Sequence, residues 1–287
     1  MQNARASTAA DFVALTKPRL NFLVVASTLA GYYLGARGFD ATLLFHTVVG
    51  TALVAGGAAA FNQVFERDTD ALMRRTRMRP LPDGRMLAST AAWFAAALSI
   101  AGLAQLWLGA NAVAAAIAFV TLASYALIYT PLKSRTAFAT LVGGIPGALP
   151  PMIGWAAASG TLTIEAWVLF AIVFLWQMPH FLAIAWLFRE DYARAGLPML
   201  PVVEPDGGST AQQVVLYAAV LVPVSLLPTI LGLSGRVYFL GAALLGLGFL
   251  ALSIAFARHR TRVSAKRLFL GSITYLPLLW GLMLGNH

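Results

Sequence analysis

Apolar stretches of about 20 residues, long enough to cross a hydrocarbon core of about 30 Å as a helix, recur along almost the whole chain and leave little room for any other structure. Nine are legible, roughly at 20–36, 41–61, 89–108, 111–129, 138–158, 163–186, 212–232, 235–257 and 267–285. Charged residues make up 11% of the chain and hydrophobic ones 59%, whereas a soluble domain carries about a quarter charged. The expected fold class is therefore all-α: a polytopic membrane protein, with residues 1–287 forming one domain and 1–14 a flexible cytoplasmic N-terminus. The first span is short. The fifth holds Gly143, Gly144, Pro146, Gly147, Pro150 and Pro151, which predicts a bend, because proline removes a helix hydrogen bond that neighbours must replace.

Lysine and arginine set the orientation. Arg5, Lys17 and Arg19 precede the first span, and the loops after spans two, four, six and eight bring one side of the membrane to 18 of the 20 basic residues. Only Arg37 and Arg236 fall on the other side. The positive-inside rule then puts the N-terminus and the even-numbered loops in the cytoplasm and His287 outside. This sidedness accounts for the net charge of +9. No compact soluble domain remains to present that charge to nucleic acid, so membrane lipid and anionic substrates are the expected partners. The absence of cysteine excludes disulfides, thiolate metal sites and cysteine nucleophiles. Residues 1–14 lack the apolar core of a cleaved signal peptide; the expected location is a bacterial inner (plasma) membrane.

Against this background a polar island stands out at residues 62–80, with Glu66, Asp68 and Asp70 beside Arg67, Arg74, Arg75, Arg77 and Arg79. If the second helix continues through it, a turn of about 100° per residue puts Glu66 about 40° and Asp70 about 80° round from Asn62. The three form one oxygen-bearing stripe, while Asp68 faces elsewhere and pairs with Arg67 or Arg75. Amide and carboxylate oxygens without histidine or cysteine suit a hard cation, Mg²⁺ above all, which is commonly shared with substrate phosphates. The alternative is that these acids only neutralise the adjacent arginines at a solvated helix end. The arginines before the rigid Pro80-Leu81-Pro82 exit can fork onto a diphosphate, although at least two serve topology alone. Lys133 and Arg135 are further cationic candidates in a short cytoplasmic loop.

A second acidic island, Glu190-Asp191-Tyr192, lies 124 residues after the first, counted from Glu66 to Glu190, and echoes its aromatic, basic and acidic pattern. Such an echo would put two acidic helix ends on one face of a bundle, on opposite sides of a metal diphosphate. His180 falls within the sixth span, where an ionisable residue is costly. It is the best placed of the four histidines for an iron ligand or proton carrier, with a satisfied core histidine as the rival reading.

The chain resembles the UbiA-type intramembrane prenyltransferases, and within them the protoheme IX farnesyltransferase (haem O synthase) branch. The resemblance rests on Leu15-Thr16-Lys17-Pro18-Arg19, the Asn62, Glu66 and Asp70 stripe, Met73 with Arg75, Thr76, Arg79 and Pro80, the glycine and proline run from Gly143 to Trp155, Trp176-Gln177 with Pro179-His180-Phe181, and Asp191-Tyr192 with Gly196 and Pro198-Met199-Leu200. Gln63 and Glu66 replace aspartates usual in the quinone-forming branch, and the second island is sparser than the aspartate motif there.

The resemblance implies a ring of nine transmembrane helices around a central cavity, polar at the cytoplasmic mouth and apolar below. It implies Mg²⁺ held by Asn62, Glu66, Asp70 and Asp191, with Arg75, Arg79, Lys133, Arg135, His180 and Tyr192 binding substrate. The implied substrates are farnesyl diphosphate and haem b, the latter a substrate rather than a permanent cofactor, and haem A synthase or terminal oxidase subunits are candidate assembly partners. Rival readings are prenylation of another acceptor such as 4-hydroxybenzoate, and a non-catalytic transporter or assembly factor.

Overall fold

A computed structural model describes residues 8–287; Arg5, counted above for orientation, lies outside them. No strand occurs among the described residues. The helices are α1 (Ala9–Leu15), α2 (Pro18–Gly35), α3 (Ala41–Leu72), α4 (Ala88–Gly109), α5 (Ala112–Ala123), α6 (Thr130–Leu132), α7 (Ala139–Ala148), α8 (Pro150–Ser159), α9 (Ile164–Leu187), α10 (Arg189–Arg194), α11 (Leu200–Val203), α12 (Gly208–Val224), α13 (Leu227–Ile230), α14 (Arg236–His259) and α15 (Arg262–Gly285). A π-helical stretch, Ser124–Tyr129, joins α5 to α6.

Among the described residues eight helical rods are long and apolar enough to cross a membrane, against the nine expected. The difference is the first span: α2 has 18 residues, but Pro18, Arg19 and Asn21 dilute its apolar content. Nevertheless α2 belongs to the bundle. Thr28 Oγ1 donates to Pro150 O at 3.1 Å, and a Cβ placed on Gly31 or Gly154 would fall 1.9 Å from a backbone oxygen of the facing helix. Lipid gives helices no hydrophobic reason to associate, so such close backbone approach through small residues supplies the packing attraction.

The fifth span, expected to bend, is interrupted at Leu149, whose own dihedrals stay helical. α7 ends at Ala148, α8 starts at Pro150, and Pro146 lies inside α7. Of the N-terminal segment expected to be flexible, residues 1–7 lie outside the described residues, and residues 9–15 form α1. Asp11 accepts from the Thr8 backbone N–H at 3.1 Å and the Thr8 hydroxyl at 3.0 Å, closing a capping box, and Arg85 pairs with the same carboxylate. Gln63 in turn donates to Leu15 O at 2.8 Å, latching α1 to α3.

Large apolar side chains such as Trp93, Ile100, Leu108 and Leu244 are exposed on the outer surface of their helices, the arrangement lipid requires. Buried carboxylate and amide side chains cluster where α3 runs past its apolar part, at Asn62, Gln63, Glu66 and Asp70.

Candidate functional site

α3 is 32 residues long, about 48 Å at 1.5 Å per residue, well beyond a hydrocarbon core. Its surplus length carries the polar stripe. Asn62, Glu66 and Asp70 are 2%, 8% and 0% exposed, so the stripe faces inward. Asp68 faces water, and Arg67 Nε lies 3.5 Å from it.

Each member of the stripe meets a group brought from elsewhere in the chain. Lys17 Nζ donates to Asn62 Oδ1 at 2.7 Å, and Asn62 Nδ2 donates to Thr130 Oγ1 at 3.3 Å. Thr130 Oγ1 donates to Tyr125 O at 2.8 Å, so the hydroxyl proton is committed and the Asn62 amide is fixed with its oxygen toward Lys17. Lys133 Nζ meets both oxygens of Glu66, at 3.1 and 3.2 Å. Arg79 donates to Asp70 Oδ2 at 2.6 Å, while Thr76 Oγ1 donates to Asp70 O at 2.8 Å. Asp70 Oδ1 is buried without a hydrogen-bond partner. A bare carboxylate oxygen in such a place is costly unless a cation or donor completes it.

Lys17 was counted in the sequence only as a topology residue within a motif, yet it is a member of the site. Its φ of 48° is uncommon for a side chain with a Cβ and costs on the order of 1–3 kcal/mol; the turn, held against Pro18, sends Nζ to Asn62. Burial, then the positive charge of Arg79, pull the Lys17 ammonium down to about 7. At Lys133 burial acts in the same direction, but Tyr129 and Glu66 outweigh it and hold the ammonium above its ordinary value.

The acids of the second island make no hydrogen bond or ion pair with this stripe among the described residues. Asp191 accepts from Arg194 at 2.8 Å on α10, and Glu190 is exposed. Among the described residues no three histidine, cysteine, aspartate or glutamate side chains converge on one metal position. Tyr192 joins the two loops: Arg75 donates to its hydroxyl at 3.4 Å and lies 5.0 Å over the Phe188 ring, a cation–π contact. Arg135 is exposed and makes no ion pair among the described residues.

Behind Lys133 a cavity of about 70 Å³ is lined by Tyr129, Phe181, Ile184, Tyr192 and Met199 among others. Lys133, which pairs with Glu66, lines it as well, and Phe181, Ile184 and Ala185 of α9 form one wall. Gly143 lets the Tyr129 ring lie against α7, since a Cβ there would fall 2.5 Å from it. His180 is half-buried on α9, with Nδ1 2.7 Å from Ser272 Oγ of α15.

The donor set of the stripe fits a hard cation: all-oxygen ligands, two carboxylates and an oriented amide, with one carboxylate oxygen unsatisfied. Asn62, Glu66 and Asp70 are the groups that would hold it, and the surrounding ammonium and guanidinium groups suit a polyanion bound alongside.

Known proteins agree with this architecture. The solved digeranylgeranylglyceryl phosphate synthase aligns with a TM-score of 0.82 at 18% identity, covering 96% of this chain and 97% of its own. A UbiA homolog from Archaeoglobus fulgidus, solved bound to GPP and Mg²⁺, aligns with a TM-score of 0.68 at 13% identity, covering 95% and 99%. Among sequences, a protoheme IX farnesyltransferase of Solibacter usitatus is 54% identical over 284 residues, 96% of this chain and 97% of that protein. Its counterpart in Myxococcus xanthus is 46% identical over 283 residues, covering 97% and 96%. Residues 24–280 match the UbiA prenyltransferase family, and with the helical bundle and its charged inner stripe they establish that the chain belongs to that family.

Proposed function

We propose that the chain transfers a farnesyl group from farnesyl diphosphate to a vinyl group of protoheme IX, with addition of water, to give haem O and diphosphate. The observation that carries this reading is the 54% identity, over 284 residues, to a relative named protoheme IX farnesyltransferase. The site supports it independently by presenting what ionisation of an allylic diphosphate requires.

In this reading Asn62, Glu66 and Asp70, with Asp191 of α10 as a further candidate ligand, would hold Mg²⁺, which would neutralise charge on the diphosphate oxygens. The chain's own residues do the rest. Lys17, Lys133 and Arg79 surround the leaving group, so the electron pair of the breaking carbon–oxygen bond moves into a field arranged beforehand. Arg75, steadied by Phe188 and Tyr192, closes the mouth, and Arg135 attracts the anion from its exposed position. The farnesyl carbon bonds to the vinyl group, hydroxide from water adds to the neighbouring carbon, and one proton is released. Tyr129, Phe181, Ile184 and Met199 supply the apolar wall that keeps water from the cation until it has bonded.

Haem b enters as substrate and leaves as product. The setting is a bacterial inner membrane, with the site and N-terminus cytoplasmic, His287 outside and residues 1–287 acting as one domain; haem A synthase or terminal oxidase subunits are the candidate recipients of the product.

The test uses purified protein in nanodiscs with haem b, farnesyl diphosphate and Mg²⁺, analysed by chromatography and mass spectrometry. A farnesylated, hydrated haem that disappears with EDTA is expected. Prenylated 4-hydroxybenzoate in its place would move the chain to another acceptor, and no product from a folded sample with any acceptor would revive a non-catalytic role.

A further inference from the structure

His180 is gripped on three sides. Its ring stacks on Trp176 at 5.2 Å between centroids and 21° between planes, and on Phe269 at 5.2 Å and 27°. The third contact is Nδ1 to Ser272 Oγ at 2.7 Å. Ser272 is itself fixed, fully buried, with its backbone oxygen accepting from Trp176 Nε1 at 2.8 Å.

The serine decides the tautomer. Ser272 Oγ lies 2.6 Å from Phe269 O, and two oxygens so close need a proton between them. A serine hydroxyl has a single proton to give, so toward His180 it accepts and Nδ1 carries the hydrogen. The lone pair of the neutral ring is then on Nε2. This nitrogen makes no hydrogen bond among the described residues and is not sealed from its surroundings. Ile184, one turn further along α9 on the same face as His180, lines the cavity of about 70 Å³ together with Lys133, Tyr129 and Phe181. An imidazole whose Nδ1–H is anchored to an oxygen, whose plane is clamped and whose Nε2 is open is prepared as a metal ligand.

Resting on the proposed acceptor, we infer that His180 Nε2 is an axial ligand to the iron of the bound porphyrin, and that Ser272 is the positioning residue that sets its tautomer and direction. Coordination at iron would fix the macrocycle's centre against α9 and so limit how its edge, where the vinyl groups lie, can be presented. No bond of the porphyrin changes in this step. It is a docking contact that orients the acceptor.

The experiment titrates ferric haem b into full-length protein in nanodiscs, without prenyl diphosphate, and reads absorption and electron paramagnetic resonance spectra. The wild type should bind saturably with the signature of an imidazole-ligated iron. His180→Ala should lose that signature, and free imidazole should restore it, showing that the pocket has kept its fold. Ser272→Ala should retain the ligand with about a 10- to 100-fold loss of haem affinity, the usual cost of removing a group that orients a metal-binding histidine. Saturable binding by His180→Ala with an unchanged imidazole signature and affinity would overturn the ligand assignment while sparing the proposed acceptor. Failure of folded wild type to bind haem saturably would overturn both.

Discussion

Gly154→Ala adds one methyl group at the contact between α2 and α8, and its cost follows from the geometry. The new Cβ would sit 1.9 Å from Thr28 O, 2.6 Å from Tyr32 N and 2.8 Å from Thr28 C. These are backbone atoms of a regular helix, so no side chain can swing away to make room. Restoring an ordinary contact requires the helices to separate by about 1.5 Å, and overpacking of this kind costs about 1–3 kcal/mol. The separation also breaks the 3.1 Å hydrogen bond from Thr28 to Pro150, worth a further ~1 kcal/mol. Together about 2–4 kcal/mol should lower the apparent midpoint of thermal unfolding by roughly 3–7 °C for a chain of this size. The assay is size-exclusion fluorescence after heating in one detergent at one heating schedule, because membrane proteins unfold irreversibly. Gly248→Ala is the control: nothing lies within 4 Å of its Cβ, and alanine in a helix interior should be neutral or stabilising by up to about 1 kcal/mol. Equal midpoints for wild type and Gly154→Ala would refute the claim that backbone proximity holds α2 in the bundle.

The other predictions concern the site and its supports. Glu66→Gln leaves Lys133 without its anion and should lower kcat/KM for prenyl transfer at least 100-fold while leaving expression and detergent elution volume unchanged; single-turnover product formation checks it. Asp70→Asn should raise the Mg²⁺ concentration needed for half-maximal turnover by about 10-fold or more, and an unchanged Mg²⁺ titration would remove Asp70 from the metal site. The Asp11 carboxyl is held below its ordinary value, first by the Thr8 backbone N–H, with the Thr8 hydroxyl and Arg85 adding to it. Its stabilisation is therefore fully present above the ordinary aspartate pKa of about 4 and is lost as pH falls through the lower folded value. Wild-type thermal midpoint should fall on acidification below about pH 4, and Asp11→Asn should show less of that fall; parallel curves would count against the capping box.

How much was legible in the chain depended on whether a relation was local. Asn62, Glu66 and Asp70 could be placed on one face because helix periodicity fixes relations four residues apart, and the π-free continuation of α3 kept that phase. The proline break at Leu149 was readable for the same reason. The partners of the stripe were not: Glu66 finds Lys133 from 67 residues away and Arg75 finds Tyr192 from 117, relations set by how the helices pack. Lys17 was hidden because its role depends on a left-handed backbone turn that composition does not signal. The capping box of α1 had a local signature, Thr8 three residues before Asp11, but a helix of 7 residues is too short to announce itself by apolar periodicity. The first span falls short on composition, since α2 is held by close contact with α8 more than by apolar length.

The π-helical stretch Ser124–Tyr129 separates two properties that a membrane helix normally couples. The rod Ala112–Leu132 is 21 residues long, and removing one residue from it would still leave about 30 Å of apolar helix, so neither insertion nor orientation would be disturbed. Yet the wide turn sets the rotational phase between the α5 half and the end that carries Thr130 and Lys133. Shortening it to α-helix would turn those side chains by about 100°, away from Asn62 and Glu66. A single-residue deletion here should therefore yield a protein that the membrane accepts in full and the chemistry does not, which makes this segment a place where a lineage can lose or redirect catalysis without losing the fold.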